Sequence, residues 1–328
     1  MGDDILLEEP RRRWLRWPAF LRGRGGRRIG LIVLAAVLFL LLLYYPVGAL
    51  FVNRIDDDPN FGPGDVSPQA SRAVAVAAAL IDREVRQHAW PANDPWFLPG
   101  AFLDNMPNYQ QGIIAALSRF AVEMTDQIGR SRGSSRADPD LEKAGGLLKY
   151  PGDVWIWDPS VSWLPTASSV KQYLSARDAL LAYNGRLEAG NAIFERRADN
   201  LLGLLNRIAA DLGSASAVIE QRIETSAGGL IDTQADDIFY NTKGRLYAYA
   251  IVLRELGTDF DTVLKEKDAE AVWKQMLDSL FRAAEMQPWV VVNGTPDGQF
   301  LPNHLAGQGF LLLRARTQLR EITDILVK

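Results

Sequence analysis

An uninterrupted apolar segment near the amino terminus constrains this chain more than any other feature. Residues 29–52 contain no charged side chain, and the stretch from Leu31 to Leu43 is almost entirely leucine, valine, alanine and isoleucine. A helix of this length extends over about 36 Å, which exceeds the roughly 30 Å hydrocarbon core of a bilayer. Tyr44 and Tyr45 lie near its far end, where interfacial aromatic residues are common. The segment therefore predicts a transmembrane helix.

The charges on the two sides of this segment have opposite signs. Residues 1–28 contain eight arginines and four acidic residues, whereas residues 53–328 contain 28 basic and 36 acidic residues. Basic residues beside a span stay in the cytoplasm, so we expect a cytoplasmic tail at 1–28 and the remainder across the membrane. A cleavable signal peptide is the alternative, because Val47-Gly48-Ala49 resembles a cleavage site. The apolar segment is nevertheless long for a signal peptide, in which it has roughly 7–15 residues.

The composition excludes several kinds of chemistry. The chain has no cysteine and two histidines. Disulfides, thiolate metal sites and cysteine nucleophiles are therefore impossible, and a three-histidine zinc site cannot form within one chain. No glycine motif for phosphate or dinucleotide binding is present, so we expect neither a metal nor a cofactor. The acidic excess after residue 52 disfavours nucleic-acid binding.

The segment that follows the apolar stretch is polar and irregular. Residues 53–70 are rich in proline and glycine, and Asp56, Asp57 and Asp58 follow one another. This composition predicts a solvated acidic linker that holds the next domain away from the membrane. A calcium loop is not indicated, because Phe61 stands where the EF-hand requires glycine.

The remaining chain, 71–328, predicts one helical domain. Ser71 is placed to cap the first helix, and no proline occurs from Thr166 to Gln287. Leucines recur every seven residues from Leu305 to Leu326, which is typical of helices that pack along each other. The segment Trp289–Phe300 combines valines with turn residues and predicts a short β-hairpin. The predicted fold is all-α: one transmembrane helix followed by a helical bundle with long heptad-bearing helices and this minor hairpin.

Two details of the bundle remain open. The seven-residue repeat in 169–226 continues past Asn184-Gly185 and Gly190, which favours one kinked helix over a helical hairpin. A faint internal repeat relates the segments that begin at Pro95-Trp96 and Pro288-Trp289. A true repeat would make two helix–loop–helix units a pseudo-symmetric pair, whereas similar capping requirements would give the same pattern without symmetry.

Two loops rich in aromatic residues and proline, 91–111 and 150–165, concentrate the residues that could form a site. Paired carboxylates in a cleft hydrolyse glycans, and flat aromatic side chains bind sugars. The candidate carboxylates are Asp94, Asp104, Asp153 and Asp158. The candidate aromatic residues are Trp96, Tyr109, Trp155, Trp157 and Trp163. The alternative is that these residues cap helices and cover the core.

The two histidines lie beside aromatic segments. His88 is predicted at a helix end, where a cation stabilises the terminal carbonyl groups, and His304 at a helix start. We include both among the candidate binding residues. No Gly-x-Ser-x-Gly motif accompanies them, so a serine-hydrolase arrangement is not indicated.

The chain resembles an uncharacterised bacterial family of single-pass inner-membrane proteins with a domain of unknown function. The resemblance rests on the arginine-rich start with its apolar segment, on NDPWFLPGAFLDNMPNYQQG (93–112) and on YPGDVWIWDPS (150–160). It implies a location in the bacterial inner membrane. It implies no activity and no catalytic residue.

These features favour a membrane-anchored helical protein that serves as a scaffold or a protein-interaction module. Its expected partners are the lipid bilayer and either another protein or a second copy of the chain. The alternative is an envelope enzyme that acts on glycan through the loop carboxylates. A sensor is disfavoured, because about 28 residues on the cytoplasmic side are too few for a signalling domain.

Overall fold

A computed structural model describes residues 24–128, 137–157, 163–226, 228 and 232–328. Most of the predicted cytoplasmic tail, 1–23, lies outside the described residues. The described helices are α1 Arg24–Val52, α2 Arg72–Asp82, α3 Asn105–Glu123, α4 Pro139–Leu147, α5 Ser169–Glu188, α6 Ala198–Ser226, α7 Thr233–Asp259, α8 Asp261–Glu266, α9 Glu270–Ala284 and α10 His304–Val327. The predicted all-α class is confirmed.

The predicted apolar helix is present as α1. Its segment Arg27–Val52 has a mean hydropathy of 2.5, and none of its apolar window is buried inside the protein. Such a helix is long and apolar enough to cross a membrane. The chain divides into two compact units at this helix: the first ends at Gly48, and the second is Ala49–Lys328.

A second helix, α6, also passes the test of length and composition for a span. Its mean hydropathy is only 1.2, and 39% of its apolar window is buried within the domain. Leu201, Leu205 and Leu212 of α6 are completely buried, and α6 packs along α10. On α10 the heptad leucines Leu305 and Leu319 are equally buried. The heptad pattern therefore describes a helix pair inside the domain, and we interpret α6 as a core helix.

Helices α3 and α7 form the centre of the domain and cross at very short distance. A Cβ atom at Gly112 would overlap the carbonyl oxygen of Asn241, and a Cβ atom at Gly244 would overlap the carbonyl oxygen of Tyr109. Only glycine allows two helix backbones to approach this closely. Tyr109 and Tyr247, one on each helix, are fully buried beside this crossing.

The start of α2 is fixed by residues that are distant in sequence. Ser71 caps the helix as predicted, because its hydroxyl accepts the backbone N–H of Val74. The Asp259 carboxylate at the end of α7 accepts the backbone N–H groups of Arg72 and Ala73, both at 3.0 Å. The Asn184 side chain of α5 exchanges hydrogen bonds with the backbone of Ser71. Three helices are thereby joined around one helix start.

The kinked helix expected across 169–226 is wrong. Helix α5 ends at Glu188, α6 begins at Ala198, and Gly190 between them has a φ of 71°. This left-handed conformation closes a helix end and favours glycine. Helix α5 packs on α2 and α4, whereas α6 packs chiefly on α10, so the two helices do not form a packed hairpin either.

The predicted hairpin at Trp289–Phe300 is not supported. In the described part of the chain, this region contains only an isolated bridge between Asn293 and Asn303. The Asn303 side chain bonds to Asn293 and to the carbonyl of Gly294, and its oxygen also caps α10 at Ala306. Side-chain bonds, together with two backbone bonds at its base, therefore close this loop without a strand ladder.

The packing of the described helices does not support the pseudo-symmetric pair that a true internal repeat would give. In the second copy, α9 packs directly along α10. In the first copy, α2 and α3 each pack against α7 rather than along each other. Asp104 and Asn303 do occupy the same position before α3 and α10, as N-cap residues whose side chains accept backbone N–H groups. The faint repeat therefore reflects similar capping.

Candidate functional site

The two aromatic loops predicted as a site are joined to each other. We call residues 88–104 loop 1 and residues 149–168 loop 2, of which 158–162 lie outside the described residues. The Trp90 Nε1 donates to the carbonyl of Gly152 at 2.7 Å, and the Asn93 amide donates to the carbonyl of Val154 at 3.0 Å. Trp90 and Asn93 are both buried. Loop 1 is therefore fixed to loop 2 by buried hydrogen bonds.

Exposed aromatic side chains lie on the joined loops. The Phe97 ring contacts Trp155 of loop 2 and Trp96 of loop 1, with ring centroids 5.8 Å apart in both pairs. Trp96 is 75% exposed and Trp157 is 44% exposed. We call the set Trp96, Phe97, Trp155, Trp157 and Trp163 the aromatic surface.

We include Trp163 in this set because loop 2 closes on itself. The backbone N–H of Thr166 donates to the carbonyl of Ile156 at 2.8 Å, and its hydroxyl donates to the carbonyl of Trp155. Trp163, three residues before Thr166, is 81% exposed. The closure brings the two arms of loop 2 together where Thr166 bonds to Trp155 and Ile156.

No contact pairs the candidate carboxylates that the structure describes, Asp94, Asp104 and Asp153, with one another. Asp94 is half-buried beneath Gly100, and burial raises its pKa without a contribution from another carboxyl group. Asp153 is exposed, and Asp158 lies outside the described residues. Asp104 caps α3 and acts on Asp236, in α7. A glycosidase requires two carboxyl groups facing one bond, and no contact joins Asp94, Asp104 and Asp153 into such a pair.

An acidic group surrounds Asp104 at the starts of α3 and α7. Burial, followed by the negative charges of Asp104 and Asp237, raises the pKa of Asp236 to about 6. Burial and Asp104 also raise the pKa of Asp237, although Asn108 donates a hydrogen bond to its carboxylate at 2.7 Å. Within the described ranges, no group of three or more ionisable ligands could hold a metal ion.

The two histidines occupy different environments. His304 begins α10, and its Nδ1 accepts the backbone N–H of Val292 at 2.9 Å. Burial lowers the pKa of His304, so the neutral ring holds loop and helix together. His88 lies just after the π-helical turn Arg83–Gln87 that extends α2, with its Nδ1 3.5 Å from a Glu84 carboxylate oxygen. The contacts given for the two histidines do not connect either of them to the aromatic surface.

Tyr109 lies in the core rather than on the aromatic surface. Its ring is completely buried in α3, and its hydroxyl donates to the carbonyl of Asp56 at 2.6 Å. Asp56 belongs to the segment that follows α1. Tyr109 thus introduces a second region, which sequence reasoning missed. We call residues 53–61 the strap, and the side chains that bind it, Arg83, Tyr109, Lys243, Tyr247 and Arg254, the strap seat.

Arg83 is the most connected residue of the strap seat. It is 3% exposed and pairs with the fully buried Glu84 at 2.7 Å. Its other nitrogens donate to the Tyr247 hydroxyl and to the carbonyl of Asp56, each at 2.9 Å. The guanidinium also stacks on the Phe61 ring, 4.4 Å from its centroid. One buried cation therefore contacts the strap at two points.

Lys243 makes an equivalent contact from α7. Its ammonium group is 1% exposed and lies 2.5 Å from the Asp57 carboxylate. It also donates to the carbonyls of Ala284 and Met286 at the end of α9. Burial lowers the pKa of Lys243, and the negative charge of Asp57 opposes that shift. Three oxygens surround the charge, as a buried ammonium group requires.

The strap corrects the expectation of a free acidic linker. The Tyr247 hydroxyl donates to the carbonyl of Asp58 at 2.8 Å, and Arg254 donates to the carbonyls of Pro59 and Phe61. Composition suggested a solvated spacer, but these residues are bound along the domain. The three consecutive aspartates were the only sequence signal for this binding, because one of them, Asp57, pairs with the buried Lys243. The sequence position of Lys243 does not indicate that it is buried.

The fold and these two regions define a class of protein. It is all-α, its apolar N-terminal helix is a candidate membrane span, and its helical domain binds the strap that follows this helix. The chain belongs to the family described as "Uncharacterized protein conserved in bacteria (DUF2333)", which matches residues 64–234 and 225–328. The resemblance seen in the sequence is confirmed. No curated protein and no solved structure is found to be similar to the chain.

Proposed function

We propose that this protein is a single-pass bacterial inner-membrane protein whose periplasmic domain binds a protein partner through the aromatic surface. The observation that carries the proposal is the exposure of tryptophans on two loops that buried hydrogen bonds hold together. Tryptophan is the residue type most enriched among the energetically dominant residues of interfaces. A fixed backbone also reduces the entropy lost on binding.

The charge distribution supports the orientation. The eight arginines before α1 and the acidic excess after it favour a cytoplasmic amino terminus. In the described part of α1, Arg27 and Arg28 lie at its start, whereas Asp56 and Asp57 follow its end. The domain after residue 52 then lies in the periplasm.

Among the candidate carboxylates, Asp94 supports binding rather than glycan hydrolysis. Asp94 has the raised pKa that a general acid requires, but burial alone accounts for the shift. A second carboxyl group close enough to act on the same bond would also raise that pKa through its charge. Asp94 instead lies under the turn at Gly100, where it supports the loop.

Site-specific photo-cross-linking in living cells tests the partner surface. A photoreactive residue in place of Trp157 should give one cross-linked adduct of defined mass, because Trp157 lies in the proposed interface. The same residue in place of Leu313, which is 48% exposed on α10, is the matched control and should give none. An adduct of twice the chain mass would identify a second copy as the partner. The absence of an adduct at both Trp157 and Trp163 would contradict the proposal.

The orientation has a direct test because the natural chain contains no cysteine. In spheroplasts, a membrane-impermeant maleimide should label Lys328→Cys at once and Asp3→Cys only after lysis. The reverse pattern would invert the topology. A mature chain that has lost the Asp3→Cys label even after lysis would show a cleaved signal peptide instead of an anchor.

A further inference from the structure

The strap has a defined direction along α7. Asp57 binds Lys243, Asp58 binds Tyr247, and Phe61 binds Arg254. The strap therefore runs along α7 in the same direction as the helix. The strap begins beside Lys243, in the amino-terminal half of α7.

A third loop contacts the amino-terminal half of α7. We call residues 285–303 loop 3. Its Asn293 side chain donates to the carboxylate of Asp232, the N-cap of α7, at 3.1 Å. Where loop 3 starts, Gln287 donates to the Asp57 carboxylate of the strap at 2.9 Å. Loop 3 is thus bonded both to the start of α7 and to the strap.

Loop 3 has a rigid base and exposed apolar side chains. At the base, Val292 and His304 exchange two hydrogen bonds, and the backbone N–H of Gly294 donates to the carbonyl of Pro302 at 3.0 Å. Trp289 is fully exposed, and Phe300 is 93% exposed. These two large side chains flank a base that is already ordered, so they would lose little freedom on entering an apolar environment.

The covalent link to α1 restricts what loop 3 can meet. Helix α1 ends at Val52, and Asp56 is already bonded to Arg83 and Tyr109. Four residues reach at most about 14 Å. A chain segment of only four residues therefore tethers the start of the strap, and loop 3 bonded to it, to the end of α1. Such tethering makes even a weak contact with lipid effectively intramolecular.

We propose that loop 3 docks on the bilayer that α1 spans, with Trp289 and Phe300 inserted at the lipid–water interface. Tryptophan is enriched at this depth because its ring is apolar and its N–H can bond to headgroups or water. Glu285 and Asp297 lie in the same loop, and Asp236 and Asp237 lie at the nearby start of α7. These acidic groups disfavour attraction to anionic lipids. The proposed docking therefore depends on the two apolar side chains, and a neutral phosphatidylcholine bilayer should be sufficient for it.

The inference rests on the membrane anchoring proposed above and concerns a loop outside the aromatic surface. It gives the domain a second attachment to the membrane besides the covalent link to α1. It does not depend on which side of the membrane the domain occupies.

Spin labelling of the full-length chain in phosphatidylcholine vesicles tests this docking. A nitroxide on Gln299→Cys, next to Phe300, should be several-fold less accessible to a water-soluble nickel chelate than one on Val327→Cys, which is 71% exposed in the last turn of α10. Combining Gln299→Cys with Trp289→Ser and Phe300→Ser should restore accessibility. Both replaced side chains are exposed, so the fold should remain intact.

Several outcomes would overturn the inference. They are equal accessibility of the two labels, protection that survives the double replacement, and protection that occurs in native membranes but not in pure lipid. The last would assign loop 3 to a protein partner. Extraction of the unlabelled chain from vesicles by alkaline carbonate would show that the anchoring itself fails. An integrated chain with an accessible Gln299 label would refute the docking alone.

Discussion

The strap seat and the aromatic surface reverse the usual distribution of residues between interior and exterior. In the strap seat, Arg83 and Lys243 are buried with their charges, whereas in the aromatic surface Trp96 and Trp163 are mostly exposed. Each buried charge has an opposite charge and several oxygens around it, so its burial is tolerated. Exposure of these apolar rings to water does not stabilise the isolated domain. The seat is therefore organised for structure, whereas the surface is the region that we propose for contact with a partner.

The strongest test of this contrast removes a charge from the seat. Arg83→Met leaves Glu84 buried without its cation and releases two contacts to the strap, so we expect a loss of about 3–5 kcal/mol in the free energy of unfolding. Denaturant unfolding of the full chain in detergent measures it. Limited proteolysis should also begin within the strap.

The matched control for Arg83 is Arg282→Met on α9. Arg282 lies 3.9 Å from Asp278, and both side chains are more than half exposed. Exposed pairs contribute little, so no measurable change is expected. Equal stability of the two variants would show that the strap seat does not hold the domain together.

Replacement of the Asp236 carboxyl group is expected to have an intermediate effect on stability. The pKa of Asp236 is raised from 3.8 to about 6, so the folded state binds more protons than the unfolded state between these values. The contribution of Asp236 to stability is therefore fully present below pH 3.8 and is lost as the pH rises through about 6. Asp236→Asn should remove this decrease, which is about 1 kcal/mol after allowance for solvent screening.

Unfolding at a series of pH values from 4 to 7 measures the effect of Asp236. The exposed Asp278→Asn serves as the control and should retain the slope of the natural chain. An unchanged slope in Asp236→Asn would mean that the acidic group at the starts of α3 and α7 is not desolvated as described.

The smallest effect on stability is expected at the aromatic surface. Trp157→Ser should change the free energy of unfolding by no more than about 0.5 kcal/mol, since a substitution at an exposed position removes few internal contacts. It should nevertheless reduce recovery of the cross-linked partner when the photoreactive residue stands at Trp163. Trp273→Ser, at a tryptophan that is 4% exposed in α9, is the contrasting control. It should cost about 3 kcal/mol or more. A destabilised Trp157→Ser would assign this ring to the core.

Local sequence patterns were reliable where one helix or one cap decides the outcome. The apolar run gave α1, Ser71 gave the cap of α2, and the leucines from Leu305 to Leu326 gave the buried face of α10. The break between α5 and α6 was missed because a seven-residue spacing continued by chance across Gly190. Periodicity reports a shared face only as long as the helix is continuous.

The candidate site was predicted in part for the same reason. Aromatic composition located both loops, and the structure joins them through Trp90 and Asn93. It also removed Tyr109 from the exposed set, because its place on α3 faces the crossing with α7. Exposure depends on which helix covers a residue, and a single sequence does not contain that information.

The sequence by itself determined the apolar helix, the helical class of the domain and the positions of the aromatic loops, because each follows from interactions between residues near one another in the chain. Only the tertiary structure decided that the acidic segment after α1 is a bound strap. Asp57 and Lys243 are separated by 186 residues. A buried charge is stable only beside its partner, and that partner is defined when the helices assemble.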